Sequence, residues 1–367
     1  MSSMEGLRGV AVLLVFFVHY SQLFGTALPN SSWTRSILFS AEQIGHSGVD
    51  LFFLLSGYLI YSVLASGKST LWQFLVRRAQ RIYPTFLVVF VIYAAIEFTQ
   101  PDSKLPSGGT TLYLLKNLLL LPGVFAIRPL ITVAWSLSYE IFYYLAIPAL
   151  YHALRLRRWT PAARLLLFVA AAGGYAALCF LFWPVRIPAL ALNPFQHVRM
   201  IMFAAGIILY ELLTAFRAGS RVRPAFDYLA TAGVLLAFAL ILTNLRRQHF
   251  AVWDAAALFV AFSALAISCF GGAGFLAGAF SWTPLRWLGN ISYSYYLVHA
   301  FVLHIVRLAM FRFIPAPSAA MIWLLLPAAF AATWIGATAL FAMVEKPTAF
   351  AYHQRRTPAR ALQTAAN

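Results

Sequence analysis

Apolar residues recur along this chain in stretches of about twenty, separated by short polar or basic segments. A helix of about 20 apolar residues crosses the hydrocarbon core of a bilayer. The pattern therefore predicts an all-α polytopic membrane protein of about ten transmembrane helices. The predicted spans are residues 6–27, 46–65, 82–99, 132–152, 165–183, 198–216, 228–244, 252–270, 287–309 and 321–343. The segment FGGAGFLAGAFSW, which begins at Phe270, is compatible with a loop or with a span.

Composition supports this fold class and narrows the chemistry. Of the 367 residues, 62% are hydrophobic and 10% are charged, and the mean hydropathy is +0.79. A soluble domain carries about 25% charged residues, so we expect one membrane domain without an appended soluble module. Cys179 and Cys269 both lie in apolar stretches, which predicts neither a disulfide framework nor a metal site. The first apolar run lacks the basic start and the cleavage site of a signal peptide and is expected to be a retained span.

The net charge of +17 raises the question of nucleic-acid binding. The basic residues follow the spans unevenly: sixteen lie in the loops after even-numbered spans and in the tail, and ten lie in the other loops. The positive-inside rule explains this bias, with membrane lipids and not nucleic acid as the partner. We therefore predict that both termini are cytoplasmic and that residues 351–367 form a short disordered cytoplasmic tail.

The longest loop covers residues 100–131. Its first part, QPDSKLPSGG, is rich in turn-forming residues. The following TTLYLLKNLLLL is too short to span and is expected to be an interfacial or re-entrant helix. The chain has no recognisable internal repeat, which weighs slightly against transporter folds built from two similar halves.

The first span begins with Arg8 and carries His19 eleven residues later. At about 100° per residue both side chains leave the same helix face, and the rise between them is about 16 Å. This spacing places a guanidinium at the cytoplasmic rim, suited to phosphate, and an imidazole near mid-bilayer, suited to proton transfer. A snorkelling arginine and a histidine bonded to a neighbouring helix are the structural alternative.

The second span, HSGVDLFFLLSGYLI, carries a carboxylate, Asp50, beside two phenylalanines. A buried carboxylate must find a donor. One candidate is His19, whose tautomer and basicity Asp50 would fix in a catalytic role. The alternative is a structural partner such as a nearby arginine.

Three arginines crowd the cytoplasmic start of the third span in FLVRRAQRIYP. Arg78 and Arg81 share a helix face, because they are three residues apart. Such clusters often do no more than set topology. The functional alternative is a clamp for a polyphosphate, with Arg77 beside it.

Two further spans contain more polar groups than crossing a membrane requires. In AWSLSYEIFYYLAIP, Glu140 is flanked by Trp135 and Tyr139, and aromatic faces beside a carboxylate suit a sugar ring. The same aromatic residues also fit an interfacial belt. In WLGNISYSYYLVHAFVLH, His299 is a second mid-bilayer imidazole, open to a role in a proton relay or in packing, and it is placed here with the substrate-binding residues.

These stretches, in this order, resemble the acyltransferase family 3 of integral membrane O-acyltransferases. MEGLRG followed by an apolar run to VHY resembles the family's LDGLRG opening, and Arg8 and His19 match its Arg-x10-His motif. GVDLFFLLSGYLI resembles the second-span signature, and Arg78 and Arg81 match an Arg-x-x-Arg motif. AWSLSYEIFYYLAIP, NISYSYYLVH and VEKP at 344–347 also resemble family segments. One departure is Glu5, where the family usually has Asp.

The resemblance implies a single family domain over residues 1–350 in the bacterial inner membrane. It also implies transfer of an acyl group, most commonly acetyl from acetyl-CoA, to a hydroxyl of a cell-envelope glycan, lipopolysaccharide or lipid-linked saccharide. The donor's phosphates would meet Arg8, Arg78 and Arg81, and His19 would serve as base or as acyl relay. The rival function is a proton-coupled transporter or flippase of a glycan or lipid, because buried His, Asp and Glu fit that class too.

Overall fold

The computed structural model describes residues 2–67, 70–100, 103, 105–106, 108–181, 198–216, 224–244, 251–271 and 274–348. Within these residues the chain is helical and contains no β-strand. The α-helices, in chain order, are α1 Ser2–Phe24, α2 Trp33–Gly45, α3 Ser47–Ala65, α4 Leu71–Thr99, α5 Thr110–Leu118, α6 Trp135–Ala153, α7 Pro161–Leu181, α8 Ile201–Phe216, α9 Phe226–Asn244, α10 Ala251–Gly271, α11 Phe275–Ala279, α12 Thr283–Asn290, α13 Ser292–Phe313 and α14 Ala319–Leu340. The predicted all-α polytopic fold is confirmed.

Nine helical stretches of the described chain are long and apolar enough to cross a membrane. Nine of the ten predicted spans overlap them, and the span predicted at 287–309 begins within α12 and continues into α13. The tenth, 132–152, corresponds to α6, a 19-residue helix that carries Ser136, Ser138 and Glu140 among its apolar residues. Those polar groups lower its hydropathy, and they face other helices, since both serines are buried.

The structure adds helical segments that hydropathy alone does not predict. The region after α1, expected to be a loop, contains α2, which turns at His46 directly into α3. The third predicted span starts much earlier, at α4, because Thr70 and Gln73 form a capping box at its N-terminus. The ambiguous segment that begins at Phe270 contains in its described part the short helix α11, and a second short helix, α12, follows it.

The apolar run after the 100–106 turn region forms α5, so the predicted short helix is present. Asn117 fastens the irregular segment that follows it. Its Oδ1 accepts a hydrogen bond from the Leu130 amide at 2.7 Å, and its Nδ2 donates to the Tyr113 carbonyl at 3.1 Å. This brace fixes the approach of the chain to α6, the helix that carries Glu140.

Glycines allow α1 to lie directly on the backbone of the α11–α12 region. A Cβ atom on Gly6 would lie 1.7 Å from the Phe280 carbonyl oxygen, and one on Gly9 would lie 2.2 Å from the Leu285 carbonyl oxygen. From the α12 side of the same contact, a Cβ on Gly289 would lie 1.8 Å from the carbonyl oxygen of Glu5. Small residues permit such close helix approach in membranes. The two glycines that flank Arg8 therefore serve packing, and they fix the face of α1 that Arg8 presents.

Helices α3 and α8 meet in the same manner. A Cβ on Gly57 would lie 2.1 Å from the Phe203 carbonyl oxygen, and one on Gly206 would lie 2.0 Å from the Leu54 carbonyl oxygen. One turn further, Glu211 of α8 receives both Nε and Nη2 of Arg164, at 2.6 and 3.0 Å. A bidentate pair satisfies both carboxylate oxygens and makes this buried charge a packing element.

Several predictions fall on residues outside the described part of the chain. These are the tail at 351–367 and the basic residues Lys68, Lys104, Arg186, Arg217, Arg221, Arg223, Arg246, Arg247, Arg355, Arg356 and Arg360. The cytoplasmic placement of both termini stays a prediction.

Candidate active site

The three arginines predicted to bind the donor line one cavity of about 80 Å³. Arg8 comes from α1, whereas Arg78 and Arg81 come from the first turns of α4. The guanidinium carbon of Arg78 lies 5.3 Å from the ring centre of Phe74 and 5.1 Å from that of Tyr144. These cation–π contacts hold the Arg78 side chain at the cavity wall. The spacing of three residues thus brings both α4 arginines to the same site.

The neighbouring Arg77 is turned away from this cavity. Its Nε donates to the carbonyl oxygen of Gln73, one turn back on its own helix, at 2.9 Å. It is not among the residues that line the cavity. Adjacent positions of α4 thus carry two different arginines: Arg78 lines the cavity, and Arg77 bonds to the backbone of its own helix.

Glu140 lines the same cavity as the arginines. It accepts hydrogen bonds from Ser56 Oγ at 3.3 Å and from the Tyr144 hydroxyl. Three guanidinium groups against one carboxylate leave the cavity wall positively charged, which favours an anionic ligand. The structure thus places Glu140 beside the arginines and not in a separate sugar site.

The end of the cavity furthest along α13 is built from aromatic and hydroxyl groups. The Tyr296 hydroxyl bonds to Ser136 Oγ at 2.7 Å and to the Val133 carbonyl oxygen at 2.8 Å. The ring of Phe52 meets that of Tyr296 edge to face, with centres 6.1 Å apart. Phe52, Ser136 and Tyr296 all line the cavity. We call this group the inner end of the cavity.

His19 lies beyond the inner end and is not a lining residue of the cavity. Its ring centre is 4.9 Å from that of His299. His299 follows Tyr296 by three residues on α13, a rise of about 4.5 Å. The half-buried His19 side chain also lies beside Gln22, which is exposed. The predicted base therefore contacts a residue that is one helical turn from the arginine cavity, and the exposed Gln22 lies on its own helix one turn further on.

His299 is fully buried beside His19, with 0% of its surface exposed. Its Nδ1 is 3.0 Å from the Tyr295 carbonyl oxygen and 2.9 Å from that of Tyr296. The Tyr295 ring stacks on it at 5.5 Å between centres. The structure thus brings the two predicted mid-bilayer histidines together, although they are 280 residues apart.

Asp50 pairs with an arginine, the structural alternative raised by the sequence. Arg199 Nη1 donates to Asp50 Oδ2 and to the His46 carbonyl oxygen, both at 2.8 Å. Asp50 is 1% exposed, and its Oδ1 has no partner among the described residues. The carboxylate thus joins α3 to the segment before α8.

Tyr139 and Trp135 lie apart from the arginine cavity. The Tyr139 hydroxyl donates to the carbonyl oxygen of Gly123 at 2.5 Å, and its ring is 2% exposed. Trp135 meets Tyr139 edge to face, with centres 5.9 Å apart. Neither ring lines the cavity. In this structure the aromatic pair packs the start of α6.

Comparison with known proteins identifies the family. A family model described as an acyltransferase domain, of the acyltransferase 3 type, matches residues 1–342. The chain belongs to acyltransferase family 3. It is 32% identical over 321 residues to the acyltransferase MdmB of Streptomyces mycarofaciens, a match that covers 82% of this chain and 78% of that protein. It is 28% identical over 323 residues to the peptidoglycan O-acetyltransferase OatA of Listeria monocytogenes, covering 81% of this chain and 48% of that protein. It is also 30% identical over 193 residues to nodulation protein 10 of Rhizobium leguminosarum, covering 46% of this chain and 48% of that protein.

No solved structure matches the chain. The family and the helical spans together make this acyltransferase family 3 member a multi-pass membrane O-acyltransferase. The rival transporter function is therefore set aside. With OatA and nodulation protein 10 the chain aligns over about half of their lengths.

Two features of this acyltransferase were not predicted from its sequence. Glu345 lies in a short π-helix, Phe341–Glu345, and accepts a hydrogen bond from Ser294 Oγ at 2.5 Å. It faces Arg8 and Arg81, so it is a second carboxylate near the cavity arginines. A π-helical turn is frequent at functional sites. The charged VEKP segment directly after the last apolar run was the signal that could have drawn attention to it.

The second feature is a polar group at the outer end of α1, formed by Gln22, Glu42 and His46. Gln22 Nε2 donates to Glu42 Oε1 at 3.0 Å, and the same oxygen lies 4.0 Å from His46 Nε2. Since Gln22 lies beside His19, this polar group approaches the predicted base from the end of α1 opposite Arg8. Sequence reasoning missed it because α2, which carries Glu42, was expected to be a loop.

Proposed function

We propose that this enzyme transfers an acetyl group from acetyl-CoA, bound from the cytoplasm, to a hydroxyl of a cell-envelope glycan or lipid-linked saccharide. The observation that carries the proposal is the arrangement of three arginines around one cavity whose inner end, at Tyr296, lies one helical turn from His299, the ring that contacts His19. The relative OatA, a peptidoglycan O-acetyltransferase, supports the acetyl group and the glycan acceptor, whereas MdmB, an acyltransferase, supports acyl transfer alone.

Donor binding rests on Arg8, Arg78 and Arg81. Guanidinium groups bind phosphate oxygens through paired, charge-assisted hydrogen bonds, and the pyrophosphate and ribose phosphate at the nucleotide end of coenzyme A need several of them. Glu140 and Glu345 balance this charge when no donor is bound. The rise of about 16 Å from Arg8 to His19 matches an extended pantetheine arm. The thioester would pass the inner end of the cavity at Phe52 and Tyr296 to reach the imidazole.

The reaction follows from the chemistry of an imidazole between a thioester and a hydroxyl. Acting as a base, His19 takes the hydroxyl proton while the oxygen attacks the thioester carbonyl. The C–S bond breaks, and the sulfur leaves as the free thiol with the proton from His19. Help of this kind contributes about 10²–10⁴-fold. In the relay version a His19 nitrogen attacks the carbonyl, the C–S bond breaks, and the sulfur leaves as the thiol with the ring N–H proton. The acceptor oxygen then attacks the acyl-imidazole, the C–N bond breaks, and the hydroxyl proton returns to the imidazole.

The acceptor is proposed to approach from the end of α1 opposite the arginines. There His19 is half-buried beside the exposed Gln22, and Glu42 and His46 offer further hydrogen-bonding groups to sugar hydroxyls. Donor and acceptor would then reach the imidazole from opposite sides. This geometry agrees with the predicted orientation, with Arg8 on the cytoplasmic side of a bacterial inner membrane.

The test is transfer of radiolabelled acetyl from acetyl-CoA to envelope glycan by purified enzyme in lipid nanodiscs. We expect label in the glycan with wild-type protein, and a loss of about 10²–10⁴-fold in kcat with His19→Ala. Arg77→Ala is the matched control, because that arginine faces away from the cavity. The proposal would be refuted if no label appeared in the glycan or if the His19→Ala enzyme kept full activity. Double-reciprocal kinetics then separate the mechanisms, since parallel lines indicate the relay and intersecting lines a ternary complex.

A further inference from the structure

The hydrogen bonds of His299 define which of its ring nitrogens carries the proton. Nδ1 is within 3.0 Å of two backbone carbonyl oxygens, those of Tyr295 and Tyr296. Carbonyl oxygens only accept, so Nδ1 must be the N–H donor. In the neutral ring the other nitrogen, Nε2, then holds a lone pair and is a hydrogen-bond acceptor.

This acceptor has no partner among the described residues, although the ring is completely buried. The two tyrosines that pack on His299 cannot supply one in this arrangement. The Tyr295 hydroxyl bonds to Thr333 Oγ1 at 2.8 Å, and the Tyr296 hydroxyl bonds to Ser136 and to a backbone carbonyl. The third aromatic neighbour is the ring of His19. A buried polar atom left unpaired is costly, so a donor is expected there in the working enzyme.

We propose that His299 positions His19, by accepting at Nε2 a hydrogen bond from a ring N–H of His19. Two imidazoles joined by such a bond of about 3 Å have ring centres about 5 Å apart. The observed separation of the centres is 4.9 Å, at a tilt of 56°, so a rotation of the His19 ring completes the contact.

The consequence is a defined tautomer for His19, because a proton directed at His299 leaves the lone pair on the other nitrogen. That nitrogen would face the substrate, with the exposed Gln22 occupying its position in the free enzyme. In the general arrangement of an activated nucleophile, the base beside it is itself oriented by a third group. Here the third group would be a neutral imidazole held by its own helix. The inference rests on the proposed role of His19.

Two amide substitutions test the two nitrogens of His299 separately. His299→Asn keeps a donor near the position of Nδ1 and removes the acceptor. His299→Gln places an amide oxygen near the position of Nε2 and keeps the acceptor. We expect His299→Asn to lower kcat by about 10–100-fold at unchanged KM for acetyl-CoA, and His299→Gln to recover most of this loss. A packing role predicts the opposite order, because only Asn keeps the hydrogen bonds to the α13 carbonyls.

The outcomes separate this inference from the proposed function. If His19→Ala is inactive and His299→Asn retains full kcat, the positioning role is overturned and the proposed function stands. If His19→Ala is itself fully active, the proposed function fails. Solid-state NMR of ¹⁵N-histidine-labelled wild-type enzyme covers the case in which neither variant folds. A protonated Nδ1 and a hydrogen-bonded, unprotonated Nε2 at His299 support the inference, whereas a protonated Nε2 overturns it.

Discussion

Replacing Arg199 by glutamine tests what Asp50 does. The change removes the cation from a carboxylate that is 1% exposed and whose second oxygen already has no partner among the described residues. Removing one partner of a fully buried ion pair costs about 3–5 kcal/mol, because it leaves an uncompensated charge. The Arg199 side chain is 39% exposed, so water reaches the pair. We therefore expect Arg199→Gln to lower the free energy of unfolding by roughly 2–3 kcal/mol.

The companion variant, Asp50→Asn, leaves no buried charge and should cost only about 1–2 kcal/mol. In the double variant two amides face each other and neither charge remains. We expect it to be more stable than the sum of the single effects predicts, by about 2 kcal/mol. Equilibrium unfolding in mixed detergent micelles gives the three values. An Arg199→Gln protein as stable as wild type, or additive single effects, would refute the ion-pair reasoning.

The same set of variants decides whether Asp50 also takes part in catalysis. If its role is only to pair with Arg199, the folded double variant keeps kcat close to wild type in the acetyl-transfer assay. If Asp50 also orients His19, as the sequence alone allowed, the double variant loses kcat although it folds. Expressing the rate per folded molecule keeps the two roles apart.

Three further predictions concern the cavity and the helix contacts. Arg8→Ala should raise KM for acetyl-CoA about 10–100-fold, through loss of a charge-assisted hydrogen bond, whereas Arg77→Ala should leave it nearly unchanged in initial-rate kinetics. Gly206→Ala should cost about 3 kcal/mol by overpacking against a backbone oxygen, whereas Gly173→Ala, with nothing within 4 Å, should be neutral or stabilising in the same unfolding assay. Phe52→Ala should widen the inner end of the cavity and raise the rate with butyryl-CoA relative to acetyl-CoA, and an unchanged ratio would argue against that path for the thioester.

Local pattern predicted the helical fold because a membrane span is a local property. Apolar runs located every span, and the three-residue spacing of Arg78 and Arg81 placed both on one face of α4. The amphipathic α2 and the short α12 were missed, because neither is long enough or apolar enough to cross a bilayer. Helix α2 matters for the site, since it brings Glu42 to Gln22.

The sequence did not predict which buried polar groups pair with each other. The apolar composition of its span predicted that Asp50 requires a hydrogen-bond donor. Which donor it met depended on the packing of α3 near the start of α8, 149 residues later. His19 and His299 were each singled out as mid-bilayer imidazoles, yet nothing along the chain indicated that their rings touch. Helical periodicity gives the face of a residue, and only the arrangement of helices gives its neighbour.

The alignment of the donor cavity with the histidine pair depends on the register of two helices. Helix α1 supplies Arg8 to the cavity and His19 to the pair, and α13 supplies Tyr296 and His299 in the same order. The two helices therefore run in the same direction at the site, and a slip of one turn, about 5.4 Å, would separate the rings. The α11–α12 region precedes α13 and lies on α1 through Gly6, Gly9 and Gly289, each of which would have a backbone oxygen within 2.2 Å if it carried a Cβ. The glycines around Arg8 thus set the register at the start of both helices, and the distance from the arginines to the imidazoles follows from it.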